Sequence, residues 1–294
     1  MRNLAARASI EVSARELRKS GDVAVRLLRG RETFLPWTPN LTAEDMIEAT
    51  SFARSLGLTP VPHVAVRRLG SIAAARSLLG RLSESGAEAV LLIGGDVADA
   101  AGPYRSSFEL LCTGALQASG FRKFGVAGYP EGHPSMDEGS ISENLNLKLD
   151  YARSEGLEIF VVSQFCFDGS VIADWATRLR ARGVTAQMRA GVAGPTNVAK
   201  LVELGLRCGV GNSIRALKGK MGSVLRLVSA YEPQDVIGDL AAARLATPSL
   251  GALTLHLFAF GGAVTTAQWM EQFAGAGSSR MSPATARDPA DREV

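Results

Sequence analysis

The sequence predicts a single (β/α)8 TIM barrel followed by a frayed C-terminal tail. Short apolar runs alternate with helix-like stretches along the whole chain, one pair per roughly 30 residues, the signature of parallel βα units. About eight such runs can be counted, the number that closes a barrel. The length of 294 residues suits one such barrel or two ordinary domains, and 46% hydrophobic content allows a sizeable packed core. An open doubly wound sheet is the competing architecture. It would need a glycine-rich phosphate turn after the first strand, and EVSARE, from Glu11 to Glu16, is not one.

The first strand is expected in Ala8–Ser13, a short β-branched run with Glu11 inside it, followed by a helix over Ala14–Leu28. Glu32–Trp37 is the second strand, closed by Pro36 and Pro39. Thr42 then caps a helix, with Asp45 at the third helical position completing a capping box, and Gly57 ends it. Pro60–Val66 is the third strand and carries His63; a helix over Ser71–Ser85 follows. Ala87–Gly95 is the clearest buried strand, a continuous apolar run stopping at Gly94, Gly95 and Asp96. After an amphipathic helix over Ser106–Ser119 comes Lys123–Pro134, KFGVAGYPEGHP, which is apolar over Phe124–Gly128 and then broken by Pro130, Gly132 and Pro134.

A helix from about Ser142 to Ser154 leads to the sixth strand, Glu158–Asp168, and a helix over Ser170–Arg182. Thr185–Gly194 is a weaker strand. Asn197–Cys208, Ser213–Ala230 and Gln234–Leu245 read as helices, Ala252–Gly262 as the last strand with His256 in it, and Ala263–Phe273 as the closing helix. Residues 1–275 form the barrel on this reading. Residues 276–294, rich in Gly, Ser, Pro, Ala and charge, form a disordered tail.

Composition narrows the function classes. Net charge is +3 with acidic and basic residues interspersed, so nucleic acid is not an expected partner. Cys112, Cys166 and Cys208 are too far apart for a metal knuckle and too few for a disulfide framework, and read as small core residues. No metal site is expected. The N-terminus lacks a signal-peptide core and no apolar run reaches about 18 residues, so a cytoplasmic protein without a membrane partner is expected.

In a barrel of this kind the carboxyl ends of the strands line the active site, and the polar residues collect there. Glu11, His63, Asp96, Gln164 and the trio Tyr129, Glu131 and His133 all fall at or just after strands. In a locally extended chain the trio would project the same way. A carboxyl at a barrel mouth is expected to have a raised pKa, which suits Glu11 as a general acid. Gln164 offers a donor and an acceptor to the edge of a flat heterocycle. Asp168 reads as a helix cap. His256, inside an apolar strand, reads as structural, and Trp37, Trp175 and Trp269 as core or interface.

Taken together, SIEVS with Glu11, PVPHVAV with His63, GGD with Asp96, AGYPEGHP, NLK at Asn146–Lys148 and VVSQFCFD with Gln164 resemble the catalytic barrel of methylenetetrahydrofolate reductase. The resemblance runs from about residue 8 to residue 273 and is most specific in AGYPEGHP followed about 30 residues later by SQFCFD. It implies a barrel holding FAD at its mouth, with NADH or NADPH reducing the flavin and the flavin reducing 5,10-methylenetetrahydrofolate to 5-methyltetrahydrofolate, or the reverse. It implies Glu11 as the acid that protonates the folate nitrogen and Asp96 beside flavin and pterin. Gln164 would lie on the pterin. His63, Gly94, Gly95, Asp96, Tyr129, His133, Asn146 and Lys148 would lie against FAD. Tetrahydrofolate derivatives are the implied ligands and a homo-oligomer the implied assembly.

The chain departs from the family at Leu35–Pro36, where Thr-Tyr usually meets the flavin, and at Leu149 and Asp150, which replace basic residues near its phosphates. It also departs at Leu204, Lys200 and Gly262, around the folate tail. Three readings follow: the flavin enzyme, a flavin-independent version of the same reaction, and a folate-binding barrel subunit without turnover.

Overall fold

The computed structural model describes residues 2–208 and 230–275. Eight strands close a parallel barrel: β1 (Ser9–Glu11), β2 (Glu32–Leu35), β3 (Thr59–Ala65), β4 (Ala89–Ile93), β5 (Lys123–Gly128), β6 (Glu158–Phe165), β7 (Gln187–Ala193) and, after two short strands outside the barrel, β10 (Thr254–Phe258). Their order around the barrel is β1-β10-β7-β6-β5-β4-β3-β2, so β10 closes the sheet between β7 and β1. The extra pair, β8 (Thr196–Asn197) and β9 (Ala230–Tyr231), forms a small antiparallel ribbon that the sequence did not announce. The helix expected over residues 213–230 falls almost wholly on residues 209–229, and the tail on 276–294; both lie outside the described residues.

The helices are α1 (Arg2–Ala6), α2 (Ala14–Lys19), α3 (Gly21–Leu28), α4 (Ala43–Ser55), α5 (Ile72–Glu84), α6 (Ser107–Cys112), α7 (Ala115–Ala118), α8 (Glu138–Ser154), α9 (Gly169–Ala181), α10 (Val198–Cys208), α11 (Gln234–Ala246) and α12 (Ala263–Gly275). Two expected helices are split. The stretch after β1 breaks at Gly21 and the stretch after β4 at Gly114, both with positive φ, a backbone conformation that only glycine adopts without strain. The expected caps form: Thr42 and Asp45 make a reciprocal capping box on α4, and the Asp168 carboxylate accepts from the Ser170 amide at the start of α9. Trp37, Trp175 and Trp269 are buried, as is Cys166. Cys112 is exposed, at the end of the short α6, rather than in the core.

Strand side chains alternate between two apolar layers. One face of each strand packs on the helices; Ile10, Val64, Leu92, Val126, Val161, Met188 and Leu257 belong to this outer core. The other face fills the lumen, where Phe34, Val61, Ala89, Leu91, Phe160 and Val162 form a separate cluster. Glycine makes room for the large lumen rings. A Cβ at Gly125 would lie 2.2 Å from the Phe160 ring, and one at Gly191 2.2 Å from the Ser163 carbonyl oxygen. That close approach of β7 to β6 coincides with a register irregularity between Val162 and Phe165, the segment that carries Gln164.

Candidate active site at the barrel mouth

β1 is only three residues long, and its alternation turns Ser9 and Glu11 into the lumen while Ile10 faces the helices. Glu11 Oε2 lies 3.4 Å from His63 Nε2 on β3 and 3.7 Å from His256 Nε2 on β10. The carboxylate is thus held between two imidazoles from either side of β1. The Glu11 side chain is 18% exposed, whereas that of His256 is fully buried. Both distances exceed a well-formed N–H···O bond, as is common in a catalytic site without ligand.

His256 is oriented from behind. Ser9 Oγ lies 2.9 Å from its Nδ1. If the serine hydroxyl donates to Nδ1, the proton of the neutral ring sits on Nε2 and faces the Glu11 carboxylate. The opposite tautomer, with the hydroxyl donating to the Leu255 carbonyl at 3.4 Å instead, would put a lone pair against a negative charge, so the Glu11 carboxylate favours the first. Phe34 completes the setting, with its ring edge-on to His256 at 4.5 Å and to His63 at 6.3 Å.

This arrangement corrects one expectation. Burial alone would raise the Glu11 carboxyl, as anticipated. The two flanking imidazoles, His63 foremost, outweigh it and hold the group down at about 2. Glu11 is therefore a carboxylate in the unliganded barrel, set to accept a proton. His256, read from sequence as structural, is a direct neighbour of that carboxylate. Burial pushes its imidazole below the ordinary range; Glu11 pulls the other way, while Arg189 and His63 add to the lowering.

The remaining predicted residues are distributed around this centre. Asp96, just beyond β4, is half exposed, and its carboxylate accepts from Arg68 Nη2 at 2.6 Å. Arg68 also donates to the Thr38 carbonyl, tying three strand-end loops together. Arg67 donates to the carbonyls of Gly94 and Gly95. Arg67, Arg68 and Asp96 line, with Trp37, a cavity of about 600 Å³.

After β5 the chain turns between Pro130 and Gly132 instead of running extended, so the expected alternation of Tyr129, Glu131 and His133 does not apply. All three line a cleft of about 970 Å³ bounded by α8 and α9. The Tyr129 and His133 rings meet edge-on at 5.0 Å, with Gly132 between them at positive φ. Burial raises the Tyr129 phenol against the opposing charge of Arg67, and burial with Arg67 lowers His133.

Asn146 and Lys148 lie on α8. Asn146 Oδ1 accepts from Arg182 Nη2 at 3.0 Å, so its side chain is turned to the end of α9. Lys148 is half-buried, which lowers its ammonium. Gln164 is on the irregular end of β6. Behind it Phe165, Phe167, Phe258 and Phe260 form an aromatic wall, in which Phe258 and Phe260 stack at 5.5 Å and Lys200 caps the Phe260 carbonyl at 2.5 Å. Leu204 packs into the same wall. Among the described residues no cluster of His, Cys, Asp and Glu is placed to hold a metal ion, and no helix is long and apolar enough to cross a membrane.

Reasoning from sequence missed Ser9 and the ion pair in the barrel floor, Glu32 with Arg189. Arg189 carried a signal: it is the one charge in the run TAQMRAGVAG, and a charge inside a strand buried on both faces needs a partner.

No protein-family model matches the chain. Its fold is similar to that of an uncharacterized protein from Clostridium thermocellum that binds two copies of 5-methyl-5,6,7,8-tetrahydrofolic acid, at a TM-score of 0.60 and 10% identity over 93% of this chain and 98% of that one. The Yersinia pestis dihydropteroate synthase matches at a TM-score of 0.49 and 8% identity, over 92% of this chain and 93% of that one. A mutant tryptophan synthase α-subunit from Pyrococcus furiosus matches at 0.49 and 10%, over 92% and 96%. The first of these likenesses extends over nearly the whole of both chains, and at such identity what it shows is the shared barrel architecture.

Proposed function

We propose that this barrel is a folate oxidoreductase that interconverts 5,10-methylenetetrahydrofolate and 5-methyltetrahydrofolate, with NADH or NADPH as the hydride partner. The observation that carries the reading is the Glu11 carboxylate held between His63 and His256 at the strand ends, in the motif order that resembles methylenetetrahydrofolate reductase. The fold likeness to a protein that binds 5-methyltetrahydrofolate supports the ligand class.

The chemistry follows from the charge of Glu11. In the oxidative direction a hydride leaves the methyl carbon for the nicotinamide, giving a methylene iminium at N5. N10 attacks that carbon, and the proton it sheds goes to the Glu11 carboxylate. Glu11 is charged and so can take that proton, but a carboxyl held at about 2 is a weak base, so the step needs the upward shift that bound folate brings. In the reductive direction Glu11 must first be protonated, and bound folate, by displacing water and separating the carboxylate from its imidazoles, supplies the required upward shift. Gln164 pairs with the pterin edge, and the Phe258–Phe260 stack borders the mouth beside it.

FAD was the cofactor implied by the resemblance, and the residues present do not fit it in that manner. The Asn146 amide oxygen is engaged by Arg182 and the Asp96 carboxylate by Arg68. Asp150 is paired with Arg153, and Leu35 is sealed in the barrel wall. The proton chemistry assigned to Glu11 does not depend on a flavin.

The test is the absorption spectrum of the purified protein, before and after addition of FAD, combined with an assay of nucleotide-dependent folate conversion. Conversion by a colourless protein gives direct hydride transfer. Flavin bands bleached by nucleotide and restored by methylenetetrahydrofolate give the flavin route. Folate binding without conversion under either condition overturns the proposal in favour of a binding subunit.

A further inference from the structure

Beneath the Glu11 cluster the lumen holds a second set of charges. Arg189 on β7 is buried and forms a two-pronged ion pair with Glu32 on β2, both guanidinium Nη atoms reaching the carboxylate. Lys123 of β5 lies 4.0 Å from Glu32 and 2.9 Å from Glu158 of β6. The Arg189 guanidinium is clamped between two rings, 4.2 Å from the Phe160 centroid and 5.3 Å from that of Phe34. Phe34 in turn is the ring that sits edge-on to His256 and His63. In strand register Arg189 stands opposite Thr254 and Gly191 opposite His256. The guanidinium is thus one inward-facing position below the imidazole, about 7 Å along the barrel.

We propose that the Glu32–Arg189 pair is a positioning pair for the mouth: it fixes Phe34 against His256 and, being neutral as a unit, leaves Glu11, His63 and His256 free of net charge from the floor. The inference rests on the folate reading only for its catalytic consequence; its electrostatic content concerns this chain alone. The charged or titratable groups that act on His256 are Glu11 on β1, Glu32 on β2, His63 on β3 and Arg189 on β7; Lys123 on β5 and Glu158 on β6 reach the set only through Glu32. A lumen of low effective dielectric transmits an unpaired charge over this distance.

The signature is opposition of sign. Arg189→Met leaves Glu32 with only Lys123, 4.0 Å away, in place of its two-pronged partner, and the added negative charge favours protonated His256. Glu32→Gln leaves Arg189 unpaired and disfavours it. The double variant removes both charges and restores the wild-type balance. A role confined to packing gives no such opposition.

The experiment is a histidine NMR titration of the ligand-free protein. The chain has three histidines, and a His256→Gln variant assigns the resonance. The expected result is a His256 midpoint raised by roughly half to one pH unit in Arg189→Met, lowered by a similar amount in Glu32→Gln, and back near wild type in the double variant. Shifts in the same direction, or none, overturn the proposal. If Arg189→Met does not fold, Glu32→Gln and Arg189→Lys decide it: the first must lower the midpoint and the second, which keeps the charge, must leave it unmoved. Because no folate is present, the outcomes separate. Opposed shifts without folate turnover in the wild-type protein contradict the proposed function alone, and turnover without opposed shifts contradicts this inference alone.

Discussion

Glu11 shows how a residue's neighbours decide its chemistry. Its position at the end of the first strand was readable, but its charge state was not, because the imidazoles that set it come from positions 63 and 256 and meet it only when the barrel closes. The folded value near 2 lies below the ordinary carboxyl value of 4.5. The sign follows directly. A depressed carboxyl contributes stability that is fully present above its unfolded value and lost as pH falls through the folded one. Wild-type protein should therefore lose stability relative to Glu11→Gln as pH falls from about 5 toward about 2.5, measured as the difference in thermal midpoint. A difference that does not change over this window contradicts the assigned charge. Ser9 acts through the ring it holds. Ser9→Ala should cost about 1 kcal/mol, read by chemical denaturation. It should also free the His256 tautomer, so that the Nε2–H resonance facing Glu11 weakens in NMR spectra; an unchanged tautomer population would count against the assignment.

The strands were the most legible elements, for a physical reason. Parallel barrel strands are buried on both faces and read as apolar runs bounded by glycine and charge. AEAVLLIGG and EIFVVSQFCFD contain β4 (Ala89–Ile93) and β6 (Glu158–Phe165), each strand shorter than the run that announced it. Helix continuity was less legible. Gly21 and Gly114 break α2–α3 and α6–α7 by backbone conformation, whereas a single glycine within an amphipathic pattern is often tolerated. The two-residue β8 and β9 are too short to leave a pattern at all.

The irregular end of β6 connects element to site. Gly191 lets β7 approach the Ser163 and Gln164 carbonyls, and backbone cannot move aside as a flexible side chain can. Gly191→Ala should destabilise the barrel by about 1–3 kcal/mol and displace Gln164. Folate affinity should then fall together with thermal stability. A stable Gly191→Ala protein with unchanged folate affinity would contradict this account of how Gln164 is aimed.

At the scale of the whole molecule, the lumen holds two polar centres and an apolar cluster. Glu11, His63 and His256 occupy the mouth. Glu32, Arg189, Lys123 and Glu158 occupy the floor. Phe34, Leu91, Phe160 and Val162 pack together among them, Leu91 level with His63 and Val162 level with Arg189 in strand register. The mouth was largely legible because function places polar residues at strand ends. The floor was not, because it depends on which face of each strand points inward and on a contact between residues 157 positions apart. The motif order resembles that of a folate enzyme, and in the folded chain Asn146 is engaged by Arg182 and Asp96 by Arg68.

The most direct measurement is the conversion of 5-methyltetrahydrofolate to 5,10-methylenetetrahydrofolate with NAD(P)⁺, and its reverse, by wild-type protein and by Glu11→Gln. It should be run with and without added FAD and accompanied by circular dichroism and folate binding. The account predicts turnover by the wild type and a loss of two to four orders of magnitude, roughly, in Glu11→Gln, with the fold and folate binding retained. Equal turnover by the variant, or no turnover by the wild type with either nucleotide, would contradict the central claim that Glu11, set between His63 and His256, carries the proton of a folate oxidoreductase.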